Sequence, residues 1–356
     1  VIAVEAEEIG DIRAVAADFF DRHAVALDDD DAPRYDRVVW ARACTELGVS
    51  AIGEPESDGG LGGGAAMLAA VLVEAGRTLS PLPILGSAVR AQTALRAIAW
   101  PEARAGLLEP LMGGDQVATL APTDTSLRAV TAREGDHAWL LDGTVGRVLD
   151  GDTADVVLLV AAVGDGIGLF AVRDGVECRR QTSIDVTRSF ATLELAGAPA
   201  QLLGTAEPSA LAEIEQWSTL AVVADQVGGA QECLNTTVEY LKTRVQYGRV
   251  LGSFQALKHQ CAELALRVDE ARSALAHLVW ALDESPSDVA EAAAIASVVG
   301  ATTYVACADE AVHLHGGIGF TWEHDAHRHV RRALTDRSVF GSVQTAREAV
   351  LAARGL

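Results

Sequence analysis

The sequence predicts an α+β multidomain chain in three parts. These are an N-terminal α-helical domain (residues 1–114), a small middle β-barrel or sandwich (115–205), and a C-terminal four-helix bundle (206–356). Three observations lead there. Apolar residues recur at three- and four-residue spacing in the first third; the period falls to two in the middle; the last third returns to long Ala- and Leu-rich segments interrupted only by Pro286. A chain of 356 residues can bury a large core in two or three layers.

In the first part the periodicity predicts helices over 9–23, 37–47, 67–76 and 88–98, separated by glycine and proline. The glycine run 59–64 has no preceding strand and no Lys-Ser/Thr after it, so it reads as a loop between helices rather than a phosphate loop. In the middle part, strands are expected at 139–143 (ending in a turn), 156–160, 168–172 and 191–195. In the last part, helices are expected over 209–246, 254–283, 286–313 and 337–353, the first three long enough to form a bundle core.

Composition narrows the function. The formal charge of −22 repels nucleic acid and anionic lipid over the surface as a whole. No run of apolar residues reads as a membrane span. The acidic start lacks the basic residues of a secretory signal. Five cysteines, with no C-x-x-C pair, suit a reducing compartment, so a cytoplasmic location is expected. Glu323, His324, Asp325, His327 and His329 do not match a zinc spacing and read as a polar surface helix; no metal is expected.

Three motifs carry a more specific reading. Arg244-Val245-Gln246-Tyr247-Gly248 ends one helix, and Gln255 opens the next. His313-Leu314-His315-Gly316-Gly317-Ile318-Gly319-Phe320 ends a third, and Pro55-Glu56-Ser57-Asp58-Gly59-Gly60-Leu61-Gly62 lies in the first part. In this order they resemble the acyl-CoA dehydrogenase family, with Tyr247 where Arg-x-x-Phe-Gly has Phe. An arginine can give planar charge-assisted bonds to a pyrophosphate, and glycines let backbone N–H groups approach an anion. The resemblance implies FAD shared across a subunit interface. It also implies that Arg244, Tyr247, Gln255, His313, Gly316 and Gly317 hold the adenylate half of a neighbour's FAD. Ser342 and Gln344 match further FAD-touching positions.

The pattern breaks at the chemistry. The family removes an α-proton from an acyl-CoA with a carboxylate, whose pKa is tunable in a desolvated pocket. The usual slot before the last helix holds Phe340, followed by Gly341. The second slot, about 26 residues before Arg244, holds Ser218, and Thr219 stands where a substrate-contacting Arg is common. The flavin-ring motifs are replaced by Leu120-Ala121-Pro122-Thr123-Asp124-Thr125-Ser126, read as a shortened loop, and by Gly146-Arg147-Val148-Leu149-Asp150.

The resemblance therefore implies a subunit that lacks the base and pairs with a catalytic homologue. The α2β2 acyl-CoA dehydrogenases of actinobacterial sterol side-chain degradation are similar. Their partners would be a homologous subunit, an acyl-CoA and an acceptor such as electron-transfer flavoprotein. Alternatives stay open. One is an autonomous enzyme using Glu215 or Asp225, each otherwise a solvated or capping acid. Others are a non-redox, acyl-CoA-binding scaffold and a flavin monooxygenase of the same fold.

Overall fold

The computed structural model describes residues 2–24 and 35–355. The first part is helical: α1 (Ile2–Arg22), α2 (Arg37–Glu46), α3 (Gly64–Arg77), α4 (Gln92–Ile98) and α5 (Pro101–Met112). Local chemistry sets their starts. The Asp36 carboxylate accepts the Val38 N–H at 2.7 Å and caps α2. Pro101 opens α5, where its missing N–H costs nothing. Between α3 and α4 the chain makes a π-helical turn, Ile84–Ala91, every residue of which is buried.

The middle part is one curled, mixed sheet. Its strands are β1 (Ala118–Leu120), β2 (Val130–Glu134), β3 (Trp139–Leu149), β4 (Val156–Val163), β5 (Gly166–Val172), β6 (Val176–Gln181) and β7 (Phe190–Ala206). A short helix, α6 (Thr123–Ala129), follows β1. The strand order is β1-β4-β5-β7-β3-β2, with β6 added to β7. Only β1 and β4 run parallel; the other pairs are antiparallel. One face buries Leu120, Leu158 and Leu169 against Leu95 and Leu108 of α4 and α5. The other encloses Leu141, Val145, Leu159, Phe170 and Leu193. Alternation along β4 and β5 is hidden because both faces are covered, leaving continuous apolar runs.

The last part is α7 (Ala210–Thr243), α8 (Gln255–Glu284), α9 (Val289–His315), α10 (Ala326–Val339) and α11 (Val343–Ala353). A two-stranded hairpin, β8 (Val245–Gln246) and β9 (Arg249–Val250), separates α7 from α8. Glycine within α7 permits close packing. A Cβ on Gly228 would stand 1.9 Å from the Val73 carbonyl oxygen of α3, and one on Gly229 would stand 2.4 Å from the Tyr304 ring of α9.

Several expectations change. The strand expected to turn at Gly143 continues to Leu149, with irregular register after Leu141 and after Val145. The stretch read as a shortened loop after β1 is the helix α6. The helix expected over 337–353 is two helices, broken at Phe340–Gly341, because Ser342 caps α11 by accepting the Thr345 N–H at 3.0 Å. The stretch Val289–Phe320 does reach the length and hydropathy of a membrane span, at mean hydropathy 1.5, with half of that window buried. Alanine supplies much of this hydropathy, and α9 packs Ala292, Ala296, Ala308 and Tyr304 inside the fold.

Candidate functional site

The motif residues gather at one end of the bundle. α7 stops at Arg244, whose backbone turns extended (φ −72°, ψ 122°) while its N–H still donates to the Tyr240 carbonyl at 2.8 Å. Tyr247 (φ 52°) and Gly248 (φ 77°) are both left-handed. That is what the two-residue loop between β8 and β9 requires for a tight antiparallel turn. The Leu251 N–H closes the hairpin onto the Arg244 carbonyl at 2.8 Å, and Gln255 begins α8. Arg249 lies 3.9 Å from the Phe254 ring centroid and Tyr247 packs edge-on to the same ring at 6.2 Å, so Phe254 pins the hairpin.

The second half of this end is the stop of α9. Gly316 ends the helix at φ 65°, ψ −141°, a conformation open almost only to glycine, and begins the short 3-10 turn Gly316–Phe320. A Cβ added at Gly316 or Gly317 would meet nothing within 4 Å, so both face open space. Arg244, Gln255 and His313 are exposed, and among the described residues Arg244 has no internal ion-pair partner. Tyr247 is 89% and Phe320 82% exposed, an unusual display of aromatic surface. An unpaired guanidinium and a glycine turn with open space above it fit an anionic phosphate group.

Ser342 and Gln344 lie elsewhere, at the start of α11. There Phe340, Gly341, Ser342 and Glu215 line two adjoining cavities. One, of about 380 Å³, is bounded by Arg90, Thr123, Asp124, Arg147 and Leu149. The other, of about 440 Å³, is lined mainly by small residues of α7, α9 and α11, including Val222, Ala293, Ala301 and Ala346. The Gln344 side chain bonds to Glu348 at 2.8 Å.

Ser218 and Phe340 stand at the two positions where the resemblance implies a base. Ser218 is buried; its hydroxyl accepts from Arg90 at 2.9 Å and donates to the Ile214 carbonyl at 2.6 Å. Phe340 packs on Phe190 at 6.4 Å and on the Arg188 guanidinium at 5.1 Å. Neither side chain can accept a proton from carbon. Glu215 is half-exposed on the cavity wall, accepting from Thr123 at 2.9 Å with Arg90 at 3.6 Å.

Two readings need correction. Asp225 is neither solvated nor a cap: it is buried, 2.8 Å from Arg332 and 3.2 Å from Arg188. His329 is not on a polar surface: it is buried and bonds to the Tyr304 hydroxyl at 2.8 Å, and burial pushes its pKa down to about 4. Sequence reasoning also passed over Arg90, Arg188, Arg332, Asp185 and Asp336. Arg332 links α10 to Asp225 of α7, to the Thr187 hydroxyl at 2.7 Å and to the Ser80 carbonyl at 3.2 Å. It thus clamps all three parts of the fold. No local spacing signals this, because the partners lie 107 to 252 positions away.

Known proteins agree with this architecture. The acyl-CoA dehydrogenase N-terminal domain model matches residues 6–115, and the acyl-CoA dehydrogenase C-terminal domain model matches residues 215–355. The chain is 35% identical over 302 residues to acyl-CoA dehydrogenase IpdE2 of Mycobacterium tuberculosis, covering 84% of this chain and 81% of that protein. It is similar to a chain in the crystal structure of the ChsE4-ChsE5 complex from Mycobacterium tuberculosis. The TM-score is 0.87 at 28% identity, over 98% of this chain and 97% of that one. It is also similar to a chain of the Tcur3481-Tcur3483 steroid ACAD, with a TM-score of 0.87 at 28% identity over 99% of each. With both domain models matched and a relative above 30% identity over most of its length, the chain belongs to the acyl-CoA dehydrogenase family, FAD-dependent oxidoreductases.

Proposed function

We propose that this chain is the supporting subunit of a heteromeric acyl-CoA dehydrogenase, giving an FAD-phosphate grip to a homologous partner that carries the base. The carrying observation is the contrast between its two ends. Arg244 and the Gly316–Gly317 turn stand open and unpaired, whereas both base slots hold side chains that cannot take a proton. Bound FAD would supply the acceptor for the hydride lost from the acyl β-carbon. In this reading Arg244 supplies charge to the pyrophosphate, the glycine turn supplies backbone N–H groups, and Tyr247 and Phe320 cover the joint against water. The likeness to the ChsE4-ChsE5 complex and to a steroid ACAD supports an α2β2 assembly acting on a steroid-derived acyl-CoA. Electron-transfer flavoprotein is the acceptor the family suggests, and a cytoplasmic location goes with that assembly.

The test is the flavin-to-chain ratio. The isolated chain should hold little FAD; co-purified with a homologous subunit bearing a carboxylate at the Phe340 position, the assembly should be yellow and active. A full FAD complement with acyl-CoA oxidation by the isolated chain would overturn the proposal.

One observation favours a second reading, an autonomous enzyme. Glu215 lines both cavities beside Phe340, where its carboxylate accepts from the Thr123 hydroxyl at 2.9 Å and pairs with Arg90 at 3.6 Å. If Glu215 is the base, Glu215→Gln abolishes turnover; unchanged turnover removes this reading.

A further inference from the structure

We infer that His315 is a positioning residue for the phosphate grip, holding the Arg244 helix end and the Gly316–Gly317 turn in fixed relation through a row of three touching, tilted rings. This rests on the proposed grip and deepens it. The two halves of the grip come from helix ends far apart in sequence, and a pyrophosphate senses their separation closely, since a site must hold its groups to about 0.5 Å. His315 is the last residue of α9, adjacent to Gly316, and is buried. Its ring lies 4.6 Å from the Tyr240 ring, tilted by 31°. Tyr240 is one turn before Arg244, and its carbonyl receives the Arg244 N–H. On the other side the His324 ring centroid is 4.3 Å away. One imidazole therefore touches the end of α7 and the segment leading into α10 while its own backbone begins the glycine turn.

Its orientation is set from within. His315 Nδ1 lies 2.7 Å from the Ala311 carbonyl, which can only accept, so that nitrogen carries the proton. His324 Nδ1 accepts the Ala326 N–H at 3.1 Å, which requires that nitrogen to be unprotonated. Burial, and then His315, hold the His324 pKa below its ordinary value, so the two rings meet without two full charges. The role of these ring contacts is to hold a distance rather than to touch the ligand.

The test uses the chain co-purified with its homologous subunit, stripped of flavin and titrated with FAD, alongside thermal midpoints. Arg244→Ala tests the grip itself. His315→Ala removes both ring contacts, and His315→Phe restores a ring without the bond to Ala311. Losing two aromatic contacts should weaken FAD binding by about tenfold. His315→Phe should bind within a fewfold of the unchanged chain. Tyr240→Leu tests the same ring contacts from α7 if His315→Ala does not fold, and should reproduce the loss. If Arg244→Ala leaves FAD affinity intact, the proposed function fails. If Arg244→Ala loses FAD while His315→Ala and Tyr240→Leu keep it, the inference about His315 fails and the grip stands. Loss in His315→Phe equal to that in His315→Ala also overturns the role of the ring contacts.

Discussion

Arg188 and Phe340 are in face contact: the guanidinium carbon lies 5.1 Å from the ring centroid, while its nitrogens pair with Asp336 and Asp225. Phe340 is thus fastened to the buried charge cluster that joins the sheet to the bundle. Phe340→Ala should cost about 2 kcal/mol, the loss of a half-buried ring and one cation–π contact. A lower urea midpoint at unchanged slope is the expected result; an unchanged midpoint would mean that Phe340 fills space without holding it.

Arg332 is 1% exposed and anchors α10 to Asp225, Thr187 and the Ser80 carbonyl. Removing it leaves Asp225 and Asp185 as buried acids short of a counter-charge. Arg332→Met should destabilise by about 3–5 kcal/mol despite similar volume. Arg332→Lys should recover little, since an ammonium cannot span the planar set of partners. Denaturant unfolding of the three chains decides it.

Asp150 and His329 give opposite responses to acid. Burial, reinforced by Asp152, raises Asp150 to about 7, so its contribution is full below the ordinary 3.8 and lost as pH rises through 7. Burial lowers His329 to about 4, so its contribution is full above the ordinary 6.5 and lost as pH falls through 4. Between these limits the two offset. Asp150→Asn keeps a side chain tolerated at φ 54° and removes one of them. That chain should be more stable than the parent at pH 8, by on the order of 4 kcal/mol. Below 6.5 it should lose stability more steeply than the parent, by about 1.4 kcal/mol per pH unit. Thermal midpoints from pH 4 to 8 would show it.

Gly316 and Gly317 separate strain from space. Neither has an atom within 4 Å of an added Cβ, but only Gly316 has a positive φ, 65°. Gly316→Ala should cost about 1–3 kcal/mol in the isolated chain through backbone strain alone. Gly317→Ala should leave the isolated chain nearly unchanged and lower FAD retention in the assembly. Loss of stability in both, or in neither, would contradict this.

The motifs of the proposed site were legible because their signals are local. A guanidinium at a helix end, a Gly-Gly stop and a Phe before the last helix are facts about neighbouring residues. What was misread depended on partners distant in sequence. Asp225 looks like any acid on a helix until Arg188 and Arg332 enclose it. His329 reads as one of a polar run until Tyr304, 25 positions away, takes its ring. Glu215 shares a helix face with Ser218, but only the approach of α6 and the Phe340 turn puts its carboxylate on a cavity wall and leaves the Ser218 hydroxyl bonded to Arg90 and Ile214.

By itself, then, the sequence determined the helical, β, helical order and the family motifs, because periodicity and residue type are properties of the chain. Tertiary structure alone decided which charges are buried, which acid meets a cavity and which rings join two helix ends. Burial and contact arise only when segments with no sequence relationship are packed against each other, and that packing sets the cost of every charge and the direction of every side chain.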